Sequence, residues 1–258
     1  MKYLQLKFKD MCYTINAKAT IEQLNKRDDA TNETPEVHKV FHKLSGFNAV
    51  ATPVKDYPKL PILTSKQNDI FTYMQWGIIP HWTPQDKAKT FVINNLNAKS
   101  ETIFEKKSFA PSLKEKRCII PITGFYESRE VNKIKYPYFI HLKNEEIFSL
   151  AGIYDTWKDK ESGATIKSFS IITTVANPLM AKIHNNKLRM PVILTKENER
   201  AWIAPELSDE EIKHLLQPLD DSLMDAHTVD KRVNNTRIDS DYDGITDLVE
   251  YPELGMFD

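Results

Sequence analysis

Met11-Cys12 is the pair of residues with the most unusual chemistry available to it. If the chain is read from Met11 with that methionine removed, or is cleaved between Met11 and Cys12, Cys12 carries a free α-amine and a thiol on adjacent carbons. An aldehyde condenses with such an amine to an imine, and the thiol then closes a five-membered thiazolidine. The ordinary pKa of an α-amine, about 7.7–8, leaves part of it unprotonated near neutral pH. The thiolate is the better nucleophile. Three further residues have types that suit proton traffic or orientation. Glu127 ends the apolar, aromatic run Arg117–Tyr126, where a carboxyl is expected to have a raised pKa suited to general acid–base work. His184 is of the one residue type whose ordinary charge change falls near physiological pH, which suits an acid–base role. Asn97 offers a neutral donor and acceptor. Each also has an ordinary structural use: Cys12 as a small packed hydrophobe, Glu127 at a strand end, His184 at a helix C-terminus, Asn97 in a turn.

The bulk composition bounds what these residues can serve. The chain has 258 residues, enough for a substantial core, with 41% hydrophobic residues, 28% charged residues and a net charge of −1. No global positive field advertises nucleic acid, so a nucleic-acid site has to be a local patch. The most basic stretch holds Lys99, Lys106, Lys107, Lys114, Lys116 and Arg117, either a solvated face or a phosphate-tracking patch. Two cysteines, Cys12 and Cys118, make no disulfide framework, and Cys118 reads as inert packing. No apolar run is long enough to span a membrane, and residues 1–10 lack the apolar stretch of a signal peptide. A cytoplasmic protein is expected, with no membrane partner.

The elements that must position these residues follow in order. Residues 1–10 read as a first strand, an upstream extension or a pro-segment. Helices are expected over 19–30, with Thr20 as cap, and over 34–43, starting near Thr34-Pro35. Residues 47–64, a proline-rich apolar stretch containing Pro53, read as an extended segment of the kind that lines a groove. A strand over 70–76 breaks at Gly77 and Pro80, leaving His81 and Trp82 on a loop; Trp82 is a candidate stacking platform and Trp76 a core residue. Val92, Ile93 and Leu96 suggest a short strand, with a helix starting at Ser100-Glu101-Thr102. Residues 136–142 and 147–157 read as strands joined in a hairpin across 143–146. A strand at 166–175, a helix at 178–184 and a strand at 190–194 come next, then helices at 196–203 and 208–216. Asp239–Glu250 has the spacing of a calcium loop, but no good helix precedes it and Tyr251-Pro252 opposes one after it, which favours a solvated acidic loop. No linker or repeat is evident, so residues 1–258 read as one domain.

Several segments in this order together resemble the SOS response-associated peptidase (SRAP) family. They are Met11-Cys12, Trp76-Gly77-Ile78-Ile79-Pro80, Asn97-Ala98-Lys99-Ser100-Glu101-Thr102, Arg117-Cys118-Ile119-Ile120-Pro121 with Gly124-Phe125-Tyr126-Glu127, Thr173–Asn177, and Ile183-His184 with Arg189–Leu194. The resemblance implies a single α+β domain around a curved, barrel-like, mainly antiparallel β-sheet with peripheral helices. It implies a monomeric sensor of abasic sites in single-stranded DNA that needs no cofactor or metal. Its N-terminal cysteine would cross-link to the ring-opened sugar as a thiazolidine, after self-processing that exposes it. Cys12 then matches the nucleophile, and Asn97, Glu127 and His184 match the active-site residues. Trp82, Lys99, Arg189, His81 and Pro53 fall with the DNA-binding positions. The chain departs from the family pattern in places: Tyr13-Thr14 follows the cysteine where Gly-Arg is usual, Lys99 replaces a common arginine, and residues 185–188 lengthen the segment between His184 and Arg189. Two other classes fit the residues: a general cysteine peptidase using Cys12 and His184, and a non-catalytic single-strand binder using Trp82 and the lysines.

Overall fold

A computed structural model describes residues 14–32, 41–45, 57–235 and 241–255. Met11, Cys12 and Pro53, and residues 1–10, lie outside the described residues. In chain order the elements are strand β1 (Thr14–Ala17), helix α1 (Ile21–Asp28), and strands β2 (Thr31–Asn32), β3 (Phe41–Ser45), β4 (Lys59–Thr64) and β5 (Gln67–Trp76). Helix α2 (Ala88–Asn94), strand β6 (Asn97–Lys99) and helix α3 (Ala110–Glu115) follow. Then come strands β7 (Arg117–Ile122), β8 (Gly124–Val131), β9 (Ile134–Leu142), β10 (Phe148–Lys158) and β11 (Thr165–Val175). The chain continues with helix α4 (Pro178–Ile183), strands β12 (Arg189–Pro191) and β13 (Ile193–Leu194), helices α5 (Lys196–Trp202) and α6 (Asp209–Leu215), and strand β14 (Met224–Thr228).

Strands β11, β10, β7, β4 and β5 pair in sequence, and β5 pairs back to β11. That last contact is parallel while the others are antiparallel, so the ring is a closed, mixed five-stranded barrel. A second, antiparallel sheet runs β14-β9-β8-β1-β3. Its Ile15, Phe125 and Ile140 share one buried cluster with Leu60, Trp76, Ile120 and Phe169 of the barrel, which makes the two sheets one α+β domain.

Strand β7 shows why the barrel has two apolar faces. Every residue of Arg117–Ile122 is buried. Cys118, Ile120 and Ile122 join the core shared by the sheets, while Ile119 joins a second cluster with Leu113, Trp202 and Ile212 of α3, α5 and α6. The side-chain period of two sorts one continuous apolar run onto both sides of the wall. Arg117 is fully buried there. Its guanidinium donates to the carbonyls of Leu113 and Lys114, at the end of α3, and of Trp202, Ala204 and Pro205, at and beyond the end of α5. It therefore caps the negative ends of two helices, and it is no part of the basic surface expected over 99–117.

Most helix boundaries follow local chemistry. Thr20 with Gln23, and Ser208 with Glu211, form capping boxes, and Asn177 and Thr195 cap α4 and α5. Four expectations are corrected. Residues 41–45 are strand, not the end of a helix over 34–43; residues 34–40 lie outside the described residues. Val92 and Ile93 are in helix α2, because burial of Val92 against Gly77 overrides their preference for strands. Ser100–Thr102 forms turns, and the helix starts only at Ala110. Strands β9 and β10 form no hairpin: β9 pairs with β8 and β14, β10 with β7, β11 and β13. Strand β9 instead forms a hairpin with β8, whose Asn132 and Lys133 both have positive φ (51° and 66°), as a type I′ turn requires, and β10 forms one with β11. No helix among the described residues is long and apolar enough to cross a membrane.

Candidate functional site

Strand β11 is the ruler on which the candidate residues are laid out. Ile171 pairs with Asn97 and Thr173 with Lys99 of β6 on one edge; Val175 pairs with Arg189 of β12 on the other. Asn97 is almost fully buried. Helix α4 leaves the end of β11 through the Asn177 cap and stops at His184, whose backbone (φ −90°, ψ 52°) has left the helical region.

The ring of His184 is oriented through one of its two nitrogens. Its Nδ1 lies 3.0 Å from the carbonyl oxygen of Arg189. A carbonyl only accepts, so Nδ1 carries the proton and donates. Nε2 then faces Glu127 Oε2 at 3.6 Å. Both side chains are about nine-tenths buried, 10% and 11% exposed, so this acid–imidazole pair is only slightly open to water. Glu127 stands on β8, Asn97 on β6 and His184 after α4. Strand β8 and the end of α4 bring Glu127 and His184 together, while β6 places Asn97 on the edge of β11.

Arg189 is organised by contacts of its own. Its guanidinium forms a two-pronged pair with Glu101, Nη1 to Oε1 at 2.7 Å and Nη2 to Oε2 at 3.0 Å. Nη2 also donates to the carbonyl and hydroxyl of Thr173. Burial pushes the Glu101 carboxyl up, but hydrogen bonds from Arg189 and its own backbone, and the charges of Arg189 and Lys99, outweigh this and hold its pKa below the ordinary value. Glu101 was not among the expected site residues. Only its place two residues after Lys99 in the family-like segment pointed to it.

His81 and Trp82 sit at the other end of the ruler. The His81 amide and Nδ1 both bond to Asp155 Oδ2, at 2.9 and 3.0 Å, and its side chain is 58% exposed. Asp155 pairs with Ser168 in strand register. Five residues of strand from Ser168 to Thr173 span about 17 Å, so His81 is anchored through Asp155 well along β11 from the Lys99 and Arg189 pairings. Trp82 is 45% exposed and set edge-on against Phe91, with ring centroids 5.4 Å apart. Burial would raise the Asp155 carboxyl, yet bonds from Lys116 and from the amides of His81 and Thr156 hold it low. Lys116 is thereby partly committed to an internal ion pair.

Cys118 is the expected inert thiol, fully buried, and burial pushes its pKa well up. In the calcium-like stretch, residues 243–246 form turns with Gly244 at φ 85°, and among the described residues its neighbours are short 3-10 helices, Lys231–Asn234 before it and Pro252–Leu254 after it, not α-helices. No cluster of three or more metal-ligating side chains occurs among the described residues. An open cleft of about 740 Å³, bordered by Asn16, Gln23, His141 and Glu145, includes none of the candidate residues.

A closed mixed barrel backed by an antiparallel sheet, with a few helices, defines a single-domain α+β fold in which Glu127 and His184 form a largely buried carboxylate–imidazole pair. Residues 11–236 match the model of the SOS response associated peptidase (SRAP) family, and the chain belongs to that family. It is 40% identical over 183 residues to the abasic site processing protein YoqW of Bacillus subtilis (strain 168), covering 70% of this chain and 79% of that protein. It is 29% identical over 212 residues to the abasic site processing protein HMCES of Xenopus tropicalis, covering 72% and 62%. A crystal structure of a Bacteroides thetaiotaomicron protein superposes with a TM-score of 0.83 at 36% identity, covering 93% of this chain and all of that one.

Proposed function

We propose that this chain processes abasic sites in single-stranded DNA by forming a covalent cross-link through Cys12 as its N-terminal residue. The observation that carries the reading is the Glu127–His184 pair and its relation to β1. Strand β1 runs antiparallel to β8 with Ile15 opposite Phe125, two residues from Glu127. Cys12 is tethered two residues before Thr14, within about 7 Å of chain. The family match beginning at Met11 and the names of the relatives point the same way.

The chemistry balances without a cofactor. The α-amine of Cys12 adds to the aldehyde of the ring-opened sugar, one water leaves as the imine forms, and the thiol adds across the C=N bond to close the thiazolidine. Asn97 orients the amine without changing its charge. Glu127 carries protons while water leaves. His184 uses Nε2, the nitrogen not committed to Arg189, to assist sugar-ring opening. Lys99 and Arg189 contact phosphates, and Trp82 stacks on an unpaired base with His81 next to it in the chain; Pro53, outside the described residues, is a DNA contact on the family resemblance alone. Residues 1–11 block the amine while attached, so removal of Met11 after a start there, or self-cleavage between Met11 and Cys12, is part of the function.

Intact mass tests this directly. Protein read from Met11 is mixed with a single strand carrying one abasic site. The expected species begins at Cys12 and gains the oligonucleotide less one water; Cys12→Ser gives no stable adduct. A stable serine adduct, or no adduct from a chain beginning at Cys12, overturns the proposal.

A further inference from the structure

The segment joining His184 to Arg189 is held rigidly, yet it exposes an apolar side chain. Leu188 has φ 54° and is 54% exposed. A leucine in the left-handed region is strained by its Cβ, where asparagine or glycine fits more easily. It also leaves apolar surface in water. Neither feature comes from slack chain. The Leu188 amide donates to the His184 carbonyl at 2.9 Å, and the Ala176 amide donates to the Leu188 carbonyl at 3.0 Å. Asn185 clasps the strand that carries Glu127: the Glu130 amide donates to its Oδ1 at 3.0 Å, and its Nδ2 donates to the Glu130 carbonyl at 2.9 Å. Asn186 Nδ2 donates to the Glu130 carboxylate at 2.8 Å.

A second exposed aliphatic residue lies beside the first. Val175, 51% exposed, is the strand partner of Arg189 and immediately precedes the Ala176 that binds Leu188. The two solvent-facing aliphatic residues are thus the chain neighbour and the strand partner of Arg189, with Lys99 on the other edge of β11, opposite Thr173. The carboxylates nearby are engaged, Glu101 by Arg189 and Glu130 by Asn186. Apolar surface interleaved with cations matches a strand whose phosphates are charged and whose bases present apolar faces. Backbone strain held in place by surrounding hydrogen bonds is characteristic of functional positions.

We propose that Leu188, with Val175 beside it, forms an apolar ledge on which the base next to an abasic sugar rests, fixing the strand over the Glu127–His184 pair. This inference rests on the abasic-site reading above. Its test uses protein beginning at Cys12 and single strands with 2-aminopurine on one or other side of the abasic site. Leu188→Asn suits the backbone and removes the ledge; Val175→Ser is a second variant that leaves the loop untouched. The expected result is a smaller 2-aminopurine fluorescence change and a half-saturating DNA concentration raised about five-fold. The maximal cross-linking rate and the salt slope should not change, because no charge is removed. Wild-type fluorescence and half-saturation in both variants would overturn the ledge alone. A changed salt slope would overturn it too, by assigning the loop a phosphate contact. If the wild-type chain beginning at Cys12 forms no adduct, the abasic-site reading falls and the ledge with it.

Discussion

His184 Nε2 stands 3.6 Å from Glu127 Oε2 while its Nδ1 is committed to the Arg189 carbonyl. The ring therefore has one tautomer when neutral and one nitrogen free for chemistry. Glu127→Gln keeps the shape and removes the charge that faces this nitrogen. Its expected effect is a cross-linking rate lowered about 100-fold at saturating DNA, with unchanged half-saturation. Single-turnover rates across DNA concentrations check this. A variant that loses affinity and keeps its rate would remove Glu127 from proton transfer.

Arg189 cannot be read as a simple phosphate ligand, because Glu101 already occupies its fork. Glu101→Gln removes a negative charge beside Lys99 and Arg189. The expected result is tighter single-strand binding at low salt and a log–log salt slope steeper by about 0.7, the value for one more phosphate neutralised. Arg189→Lys should weaken binding despite keeping the charge, because the planar fork is gone. Binding isotherms at several salt concentrations separate the two effects.

The buried carboxyl of Asp155 gives a pH-dependent stability with a definite sign. Its folded-state pKa is lowered, so its contribution is complete above the unfolded value of about 3.9 and disappears as pH falls through the lower folded value. Asp155→Asn should cost about 2 kcal/mol at pH 7, since bonds from Lys116 and from the His81 and Thr156 amides are weakened together. The gap between wild type and variant should begin to close below about pH 4 and narrow further as pH falls through the folded value. Denaturant melts at pH 7 and pH 3 check both points.

The contrast between legible and hidden parts has physical causes. Helix starts at Thr20, Asn177, Thr195 and Ser208 are local events, written within four residues, and the sequence reading placed helices at each. Strand pairing is long-range. Ile140 and Ile153 both look like ordinary strand residues, and nothing near them says that one joins the outer sheet and the other the barrel. The same holds for the site. Residue types suggested chemistry for Glu127 and His184 separately, and the family resemblance grouped them. Their mutual distance depends on β8 and α4 docking across the sequence between them. Arg117 was misplaced for a related reason: a basic residue beside lysines reads as surface until the ends of α3 and α5 are known to converge on it.

Gly124 tests how closely β8 and β9 must approach to carry Glu127. A Cβ there would lie 2.2 Å from the Phe139 ring and 2.8 Å from the Ile140 carbonyl. The ring can turn, but the carbonyl belongs to the paired strand and moves only if the sheet opens. Gly124→Ala should therefore destabilise the fold by about 1–3 kcal/mol. It should also slow cross-linking, because the strain enters three residues from Glu127. Thermal melts and single-turnover rates should change together; a melt change with an unaltered rate would show that the site tolerates movement of β8.

Arg117 and Lys99 make the sharpest contrast among the basic residues, because one is internal and the other faces the proposed strand path. Arg117→Met leaves the carbonyls of Leu113, Trp202 and Ala204 without their buried donor. The cost should be about 3 kcal/mol or more, seen as a lower denaturation midpoint, with no change in the salt dependence of DNA binding for the fraction that remains folded. Lys99→Met should do the reverse. Its side chain is only partly buried, so stability should stay within about 0.5 kcal/mol. The salt slope should flatten by about 0.7, the value for one fewer phosphate neutralised on a single strand. Equal salt slopes for Lys99→Met and wild type would move the phosphate path away from β6 and leave Arg189 as its marker.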